Sequence, residues 1–290
     1  MNDAASSTSD RLFAGLQSWL PQRWLAARMH ALARSRNPTV RNLVIGTVLR
    51  SYPQIQMSEA AQPDPYAYAS FNAFFTRALR PGVRPVAPGE RTIVSPVDGT
   101  VSQCGRVDGG QLIQAKGRTY GVGSLLADPD ATARYAAGSF ACLYLAPYNY
   151  HRIHMPCDGE LRRTRYVPGK LFSVNAATSR TVQDLYASNE RVACEFDTGV
   201  GAMAVVMVGA LLVGSIETVF AGEINPPAQP RAGVHELSAG IGQRFAKGEE
   251  LGRFNMGSTV IVVFASSSVT LEDALRAGSS VRLGQAIARG

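Results

Sequence analysis

Apolar residues recur every three or four positions through the first eighty residues, a period that predicts amphipathic helices. Asp10 and Ser70 are each placed to cap a helix. Asn37 followed by Pro38 is the order typical of another helix start. The first apolar face, interrupted at Pro21, is predicted to contain Leu12, Phe13, Leu16, Trp19, Leu20, Trp24, Leu25, Met29 and Leu32. The helix after Asn37 is predicted to turn Val40, Leu43, Val44, Ile45 and Val48 inward.

From about residue 90 the pattern changes to short β-branched and aromatic runs separated by glycine and proline. This spacing predicts a mostly antiparallel β sandwich or barrel. Two segments, GSLLADPDATARYAAG at 123–138 and TSRTVQDLYASNER at 178–191, are predicted helical interruptions. The predicted fold class is therefore α+β. Residues 1–85 are predicted to form a helical, basic region, and residues 86–290 a β-rich region beyond a joint rich in proline and glycine.

Composition adds little, because 46% apolar and 18% charged residues are ordinary for a globular protein. The charge is unevenly placed. Of the net charge of +7, residues 1–50 contribute +5 through seven arginines and two aspartates. A basic segment with Trp and Leu on one face fits a helix lying on anionic lipid. An amphipathic helix that packs against the β-rich region would show the same pattern, and the pattern by itself favours this alternative. A nucleic-acid partner is disfavoured, because the β-rich region has no basic patch interleaved with aromatic residues.

The most apolar stretch, residues 202–216, is shorter than a membrane span. It predicts two buried strands joined near Gly209. The four cysteines are scattered without a C-x-x-C pair, which favours a reducing compartment and gives no metal or redox motif. We expect no signal peptide, because the first ten residues are polar.

Candidate chemistry is concentrated in three places: Asp98 in SPVDGTV, the pair His151 and His154 in YHRIHMPCDG, and Ser258 before the apolar run VIVVF. An acid, an imidazole and a hydroxyl are the parts of a catalytic triad.

Each part also has a commoner structural explanation. Asp-Gly is usually a hairpin turn, and Gly-Ser-Thr is an ordinary turn. The histidine pair lacks a third metal ligand at a telling spacing. The G-x-S-x-G motif of common hydrolases is absent. His30 and His235 have no motif and are expected to be surface or packing residues. The residues alone leave the roles of His151 and His154 unassigned.

In combination these motifs resemble the bacterial pyruvoyl-dependent phosphatidylserine decarboxylases of the prokaryotic type I family. The likeness runs from about residue 10 to the end of the chain. The matching stretches are FNAFFTRALRPGVRP, SPVDGTV, YHRIHMPCDG, YVPGKLFSVN, NERV, GSIETVFAG, KGEELGRF and MGSTVIVVF. The family is marked by Leu-Gly-Ser-Thr, where this chain has Met256 before Gly257, Ser258 and Thr259. Leu to Met conserves volume and apolarity.

The resemblance implies that the chain cuts itself between Gly257 and Ser258. Ser258 Oγ attacks the Gly257 carbonyl, the amide becomes an ester, and elimination with hydrolysis leaves a pyruvoyl group derived from Ser258. The products are a large chain of residues 1–257 and a small chain of residues 258–290. By the family's pattern Asp98, His154 and Ser258 act in self-cleavage, whereas His151 faces the substrate carboxylate.

The resemblance also implies the reaction and its setting. The pyruvoyl group forms a Schiff base with phosphatidylserine, accepts electrons as CO2 leaves, and phosphatidylethanolamine is released. No metal or pyridoxal phosphate is expected. The partner is phosphatidylserine in an anionic membrane, so the protein is expected at the cytoplasmic face of the cell membrane as a peripheral enzyme. The cleaved pair is expected to form a dimer by analogy. Tyr166 and Phe172 are expected near the acyl chains, although a turn packed on the sheet explains them equally well.

Two other functions compete with this interpretation. A serine hydrolase that uses Asp98, His154 and Ser258 without self-cleavage would stay one chain on a denaturing gel, whereas the decarboxylase would give two. A non-catalytic lipid-binding β module would keep all its activity after Ser258→Ala or His154→Ala.

Overall fold

The computed structural model describes residues 10, 15–17, 19–115, 117–211, 215–226 and 231–290. The helices are α1 (Gln22–Ala33), α2 (Pro38–Ser51), α3 (Phe71–Phe75), α4 (Val122–Leu126), α5 (Ala131–Arg134), α6 (Ala176–Thr181) and α7 (Leu185–Ser188). Short 3-10 turns cover Met57–Glu59 and Pro65–Ala67. Residues 10, 15–17 and 19 are also helical.

In the part of the chain that the structure describes, eighteen strands follow beyond residue 90. They are β1 (Thr92–Val94), β2 (Gly99–Arg106), β3 (Gln111–Ala115), β4 (Arg118–Gly121), β5 (Ser139–Leu145), β6 (Arg152–His154), β7 (Gly159–Val167), β8 (Arg191–Thr198), β9 (Gly201–Val208), β10 (Ile216–Thr218), β11 (Gly222–Glu223), β12 (His235–Leu237), β13 (Arg244–Phe245), β14 (Glu250–Phe254), β15 (Ser258–Phe264), β16 (Thr270–Leu271), β17 (Ser280–Val281) and β18 (Ala286–Arg289).

The helix starts follow the predicted capping chemistry. The Asn37 side chain accepts from two backbone N–H groups of α2, and the Ser70 side chain accepts from Ala73 N in α3. These bonds satisfy amides that a helix start leaves without an internal partner. The prediction that Leu43 points inward is wrong, because its side chain is 64% exposed. Leu12 and Phe13 lie outside the described residues.

The exposed apolar residues of the amino-terminal segment bear on the alternative that this segment packs against the β-rich region. Trp19 is 89% exposed and Trp24 is 56% exposed, and Leu16, Leu20 and Leu32 are exposed as well. Among the described residues of this segment, Gln17, Ala26 and Ala33 are buried. Leu16, Trp19 and Leu32 therefore face solvent, whereas Leu20 and Trp24 border a groove beside Leu171 and Phe172 of the β-rich region.

The strands form a mixed α+β fold that confirms the predicted class. A nine-stranded sheet has the order β12-β7-β8-β9-β15-β5-β2-β17, with β13 also paired to β7. Smaller sheets follow the orders β11-β10-β14-β6 and β1-β18-β16, and β3 pairs with β4. Each of these pairs of named strands runs antiparallel. Among the described residues the edge strands β12 and β17 do not meet, so the large sheet is open and not a closed barrel.

The nine-stranded sheet is the middle layer of the molecule, and β15 lies at its centre. Val260, Val262 and Phe264 pack into the core shared with the two smaller sheets. Ile261 and Val263 pack into the opposite core, with the β3–β4 hairpin and the helices around α4 and α7. Because side chains alternate between faces and both faces are buried, every residue of this strand is apolar after Thr259.

Other local predictions can be compared with the elements directly. Both predicted helical interruptions are confirmed by α4, α5, α6 and α7. The apolar stretch 202–216 was predicted to hold two strands joined near Gly209, and only the first is confirmed: β9 ends at Val208, but no strand covers the described residues 209–211 and 215, and β10 begins at Ile216. The hairpin explanation of Asp98-Gly99 is wrong, because β1 pairs with β18 whereas β2 pairs with β5 and β17. No described helix is both long and apolar enough to cross a bilayer.

The helical region is joined to the sheet layers by a third core. Ile45, Phe71, Phe74 and Phe75 are its buried centre, and Met256 packs against it from the chain just before β15. The helices are thus held against the segment that contains the Gly257–Ser258 bond.

Candidate active site

The entrance to the central strand, residues 255–259, is held in an unusual backbone conformation. Met256 has φ +99°, a region that side chains other than glycine rarely adopt and that costs about 1–3 kcal/mol. The buried Asn255 holds this turn from both sides. Its side chain donates to Ser215 Oγ at 2.9 Å and accepts from Asn72 Nδ2 at 3.0 Å. The strain is therefore located next to the Gly257–Ser258 bond and maintained by surrounding bonds.

Two strands bring His151 to this entrance. The first residue of β15 pairs with Leu145 at the end of β5, and Phe254 N donates to the His151 carbonyl at 3.0 Å. A Cβ added to Gly257 would lie 3.9 Å from His151 Cε1, with no described atom nearer. The His151 ring stacks on Phe75, with centroids 4.0 Å apart. Of the two histidines, His151 is the one whose ring lies within 4 Å of this position.

The His151 ring is buried, neutral and has one unused nitrogen. Nε2 lies 3.1 Å from the Ala146 carbonyl and must donate to it, because a carbonyl only accepts. That tautomer leaves a lone pair on Nδ1, which is buried and has no partner among the described residues. Burial lowers the pKa of His151 to about 3, and the nearby charge of Arg77 also lowers it.

His154 has both ring nitrogens occupied. Nδ1 donates to the Gly248 carbonyl at 2.8 Å, and Nε2 lies 3.0 Å from the Tyr150 hydroxyl, which then donates to it. Burial lowers the pKa of His154, whereas the charges of Glu250 and Asp98 act in the opposite direction. Asp98 is thus near enough to act on His154 through its charge, although neither ring nitrogen is bonded to it.

The Asp98 carboxylate is bonded to Arg84 and to the backbone. Arg84 Nη2 lies 2.7 Å from Asp98 Oδ2, Arg84 Nε lies 2.9 Å from Oδ1, and Leu283 N donates to Oδ1 at 2.8 Å. Arg84 Nη2 also bonds to Glu59 at 2.7 Å. Such a two-pronged pair fixes both the charge and the orientation of the carboxylate. His154 N donates to the Pro96 carbonyl, which joins the Asp98 loop to β6.

A cavity of about 200 Å³ opens beside these groups. Its lining includes Asp98 and Arg84, the Tyr150 side chain that bonds to His154, and Arg77. The cavity therefore lies next to Tyr150, the partner of His154, whereas neither histidine is part of its lining.

The two residues predicted near the acyl chains have different positions. Tyr166 is fully buried in β7, and its hydroxyl donates to Glu190 at 3.2 Å. Phe172 lines an apolar groove of about 390 Å³ against α1, together with Leu20, Trp24 and Leu171. Their roles in substrate binding stay predictions, as do the roles of Asp98, His151, His154 and Ser258. The structure brings Asp98 and His154 into one region and His151 against Gly257.

Sequence reasoning missed Arg77, Arg84 and Tyr150. Tyr150 directly precedes His151 in the sequence, and both arginines lie in the stretch FNAFFTRALRPGVRP that supports the family resemblance. Their position in that stretch was the available signal, but it gave no role. His30 is a packing residue as expected, because its ring bonds to Glu223 at 2.8 Å.

The described residues contain no group of three or more His, Cys, Asp and Glu side chains that could hold a metal ion. The four cysteines, all within the described part of the chain, are free thiols.

Comparison with known proteins decides the family. A family model described as phosphatidylserine decarboxylase matches residues 71–289, and a second described as PSD matches residues 12–53. The phosphatidylserine decarboxylase proenzyme of Vibrio cholerae serotype O1 is 45% identical over 279 residues, covering 95% of this chain and 98% of the relative. The chain belongs to the phosphatidylserine decarboxylase family.

Other relatives of this decarboxylase family agree over the same length. The proenzyme of Methylibium petroleiphilum is 47% identical and covers 97% of this chain and 98% of its own. The proenzyme of Bordetella pertussis is 45% identical, and the match covers 96% of this chain and 94% of the relative. The predicted resemblance and the prediction of an enzyme of this family are both confirmed.

Proposed function

We propose that this protein decarboxylates phosphatidylserine to phosphatidylethanolamine after cutting its own chain between Gly257 and Ser258. The observation that carries the proposal is the strained turn at Met256, which precedes this bond in a chain whose relatives are decarboxylase proenzymes. The word proenzyme in the names of those relatives is consistent with a chain that must be processed.

Self-cleavage uses the Ser258 hydroxyl as the nucleophile on the Gly257 carbonyl. The backbone amide becomes an ester, and the bond from Oγ to Cβ of residue 258 then breaks as the α-proton leaves. Hydrolysis then removes the nitrogen of residue 258 as ammonia, and the oxygen of one water molecule takes its place. The whole process consumes one water and releases one ammonia. Strain at Met256 supports this step, because forming the ester rearranges the turn. Gly257 adds no Cβ that would crowd the attacking oxygen.

The proton of the Ser258 hydroxyl is proposed to go to His154. Burial keeps this imidazole neutral at neutral pH, which is the form that accepts a proton. Asp98 stabilises the imidazolium that results, since its charge acts to raise the pKa of His154. Arg84 and Leu283 N hold the Asp98 carboxylate in place while this happens. The Tyr150 hydroxyl, now bonded to His154 Nε2, must rotate away from that nitrogen.

The surroundings fit a pyruvoyl group at position 258. Thr259 Oγ1, His151 Nδ1 and two nitrogens of Arg77 are buried polar atoms without a described partner. Buried polar atoms are normally bonded, and Thr259 follows position 258 while the His151 ring lies against Gly257, so these free atoms support the entry of polar groups there. The group supplies a ketone that takes up the electrons released as CO2 leaves.

His151 is proposed to act on the substrate. A carboxylate that enters beside its ring raises the low pKa of His151, because opposite charge favours the protonated form. Nδ1 then takes up a proton and pairs with the carboxylate. CO2 departs as a neutral molecule, and the electron pair of the broken bond stays with the carbon, so His151 no longer faces a carboxylate and its pKa falls again. The proton on Nδ1 is then available to the carbon that lost CO2.

The amino-terminal segment is proposed to bind the membrane at its cytoplasmic face. Support comes from the exposed Trp19 and Trp24, with Arg23 and Arg28 exposed beside them. Arg28 lies over the Trp24 ring at 5.2 Å, so cations and aromatic rings share this surface. Such a surface suits anionic headgroups with apolar chains beneath.

A vesicle experiment tests the membrane proposal. The double variant Trp19→Ser/Trp24→Ser should bind vesicles containing phosphatidylglycerol about 10-fold more weakly. Ile241→Ser removes a comparably exposed apolar side chain elsewhere and should bind like the wild type. Equal binding by all three proteins would rule out docking through this segment.

Two measurements on the same preparation test the main proposal. A denaturing gel should show two chains, and carboxyl-labelled phosphatidylserine should release labelled CO2. A serine hydrolase with the same residues would remain a single chain and release no CO2. A lipid-binding module would also release none.

A further inference from the structure

Arg77 is a buried cation without a bonding partner. Its residue is 4% exposed, and Nε and Nη1 are buried with no hydrogen-bond partner among the described residues. It lies two residues after the end of α3, and its guanidinium lies over the Phe74 ring at 5.6 Å. The side chain lines the 200 Å³ cavity that Asp98 and Tyr150 also line.

The carboxylates near Arg77 are already bonded to a different arginine. Asp98 and Glu59 both bond to Arg84 at 2.7 Å. They act on Arg77 through space, because their charges raise its pKa, although burial outweighs them and lowers it. Arg77 therefore keeps donors free while its neighbour Arg84 is fully paired.

Arg191 is a buried arginine with a structural role, and it provides a comparison for Arg77. It is 3% exposed, and its three nitrogens donate to the carbonyls of Leu125, Asn189 and Ser124 at 2.6, 2.9 and 2.6 Å. A buried cation without such bonds destabilises the protein. The free donors of Arg77 thus indicate a ligand that is absent from the isolated chain.

The position of Arg77 relates that ligand to the reacting bond. Its charge reaches His151 and lowers the pKa of that ring, and His151 contacts the position of Gly257. Phe74 contacts Arg77, and the next residue, Phe75, stacks on His151. An anion bound to Arg77 would therefore lie beside the ring proposed to meet the substrate carboxylate.

We propose that Arg77 binds the phosphodiester of phosphatidylserine and so sets the position of the headgroup in the cavity. This inference rests on the proposed function. The guanidinium presents several donors in a fixed fork, which matches phosphate oxygens.

The choice between the two anionic groups of the substrate follows from the reaction. An ion pair to the carboxylate would hold the negative charge on the carboxylate oxygens, whereas the reaction must move that charge onto the carbon as neutral CO2 departs. The phosphodiester keeps its charge from substrate to product, so an ion pair to it holds the headgroup throughout. Such uniform binding lowers KM and leaves kcat nearly unchanged.

The test uses soluble headgroups as competitors and as calorimetric ligands for the full-length protein. Glycerophosphoserine has both anionic groups, glycerophosphoethanolamine has only the phosphodiester, and L-serine has only the carboxylate. Arg77→Gln should bind the first two about 10- to 100-fold more weakly and bind L-serine like the wild type. KM for phosphatidylserine should rise by a similar factor, with kcat within about threefold of the wild type.

Variants separate this role from a structural one. Arg77→Gln should not lower the unfolding midpoint, whereas Arg191→Gln should lower it, since three carbonyls lose their donor. Arg276→Gln removes an exposed arginine outside the cavity and should bind all three ligands normally. Arg77→Lys keeps the charge but loses the fork, so it should fold, cleave and show an intermediate rise in KM. It keeps the test valid if Arg77→Gln does not fold.

Three results would overturn the inference. The first is normal binding of glycerophosphoethanolamine by Arg77→Gln or, if that variant does not fold, by Arg77→Lys. The second is weaker binding confined to the two ligands with a carboxylate. The third is a loss confined to kcat. If the wild type releases no CO2 at all, the proposed function fails, and the calorimetric titrations still report whether Arg77 binds a phosphodiester.

Discussion

Two groups of charged and polar side chains lie in different parts of the molecule and are bonded in opposite ways. At the strand entrance, His151 Nδ1, Thr259 Oγ1 and two nitrogens of Arg77 have no described partner. On the side of β7 and β8 lies a charge network in which all six side chains have an oppositely charged partner. Its members are Asp128, Arg134, Arg163, Arg165, Glu195 and Glu236.

The geometry of the charge network indicates that it stabilises the fold. Asp128 is 6% exposed and lies 3.1 Å from Arg163 and 3.2 Å from Arg165. Arg165 also lies 3.1 Å from Glu236. Buried charges are tolerated when they are paired and bonded. Buried hydroxyls without a described partner also occur in the opposite core, at Tyr120, Tyr135 and Tyr186. The strand entrance differs in leaving donors of a buried guanidinium and the lone pair of a buried imidazole free, which indicates that a polar substrate is accommodated there.

The largest effect is expected at Ser258. Ser258→Ala removes the nucleophile, so the chain should stay in one piece and release CO2 only at the background rate. Ser267→Ala, at an exposed position beyond the other end of β15, should cleave and react normally. A denaturing gel and CO2 release measure both outcomes. If Ser258→Ala still gave two chains, the strand entrance would not be the site of self-cleavage.

The histidines should separate into two phenotypes. His154→Gln should remain uncleaved, because the hydroxyl loses its base. His151→Gln should cleave but decarboxylate at least about 100-fold more slowly, the usual contribution of a positioned acid or base. His235→Gln is the control, since that ring lies away from the entrance and bonds to the Ala232 carbonyl. The reverse assignment, with His151→Gln uncleaved, would make the histidine against Gly257 the base of self-cleavage.

The pH dependence of self-cleavage sharpens the assignment of His154. Burial lowers the pKa of this ring below its ordinary value of about 6.5, so more than half of the rings are neutral at pH 6.5. Cleavage of freshly translated chain, followed by timed gels, should therefore keep more than half of its pH 8 rate at pH 6.5. The rate should fall towards zero at lower pH, as the ring becomes protonated. A rate that has already fallen below half by pH 7 would contradict a buried base with a lowered pKa.

The smallest effect on activity is expected in the charge network. Asp128→Asn should lower the free energy of unfolding by about 2 kcal/mol, because three arginines lose a shared carboxylate. kcat/KM should stay within about twofold of the wild type. Denaturant unfolding and CO2 release measure the two quantities. A large loss of kcat/KM with unchanged stability would mean that the network serves the reaction after all.

Acid unfolding gives a second test of the same residue. Burial alone would raise the pKa of Asp128, but the hydrogen bond and charge of Arg165 outweigh it and lower the pKa. A lowered folded pKa stabilises the protein above the unfolded pKa of about 3.9, and this stabilisation is lost as pH falls through the folded value. Wild-type stability should therefore fall more steeply than that of Asp128→Asn below about pH 4.

Local patterns in the sequence predicted the elements that local rules determine. The caps at Asn37 and Ser70 depend on residues three positions away, and both are confirmed. The β15 strand follows from its continuous β-branched run. The inward position of Leu43 failed, because a helical face does not reveal which part of it the rest of the protein covers.

The candidate site depends on contacts between distant parts of the chain, and there the sequence was less informative. His151 and His154 are three residues apart, yet different carbonyls, those of Ala146 and Gly248, orient their rings. The pairing of Arg84 with Asp98 joins the proline-rich joint to the β-rich region. No spacing rule anticipates that Arg84 is paired while Arg77 is free.

The central claim is that this chain breaks its own backbone before Ser258 and converts that residue into a reactive ketone. An intact-mass spectrum of active enzyme, recorded before and after treatment with a hydrazine, tests it most directly. We predict two masses whose sum is that of the precursor plus one water and minus one ammonia, with the hydrazone forming only on the 33-residue chain that begins at residue 258. A single mass equal to that of the full sequence, unchanged by hydrazine in a preparation that releases CO2, would contradict the account.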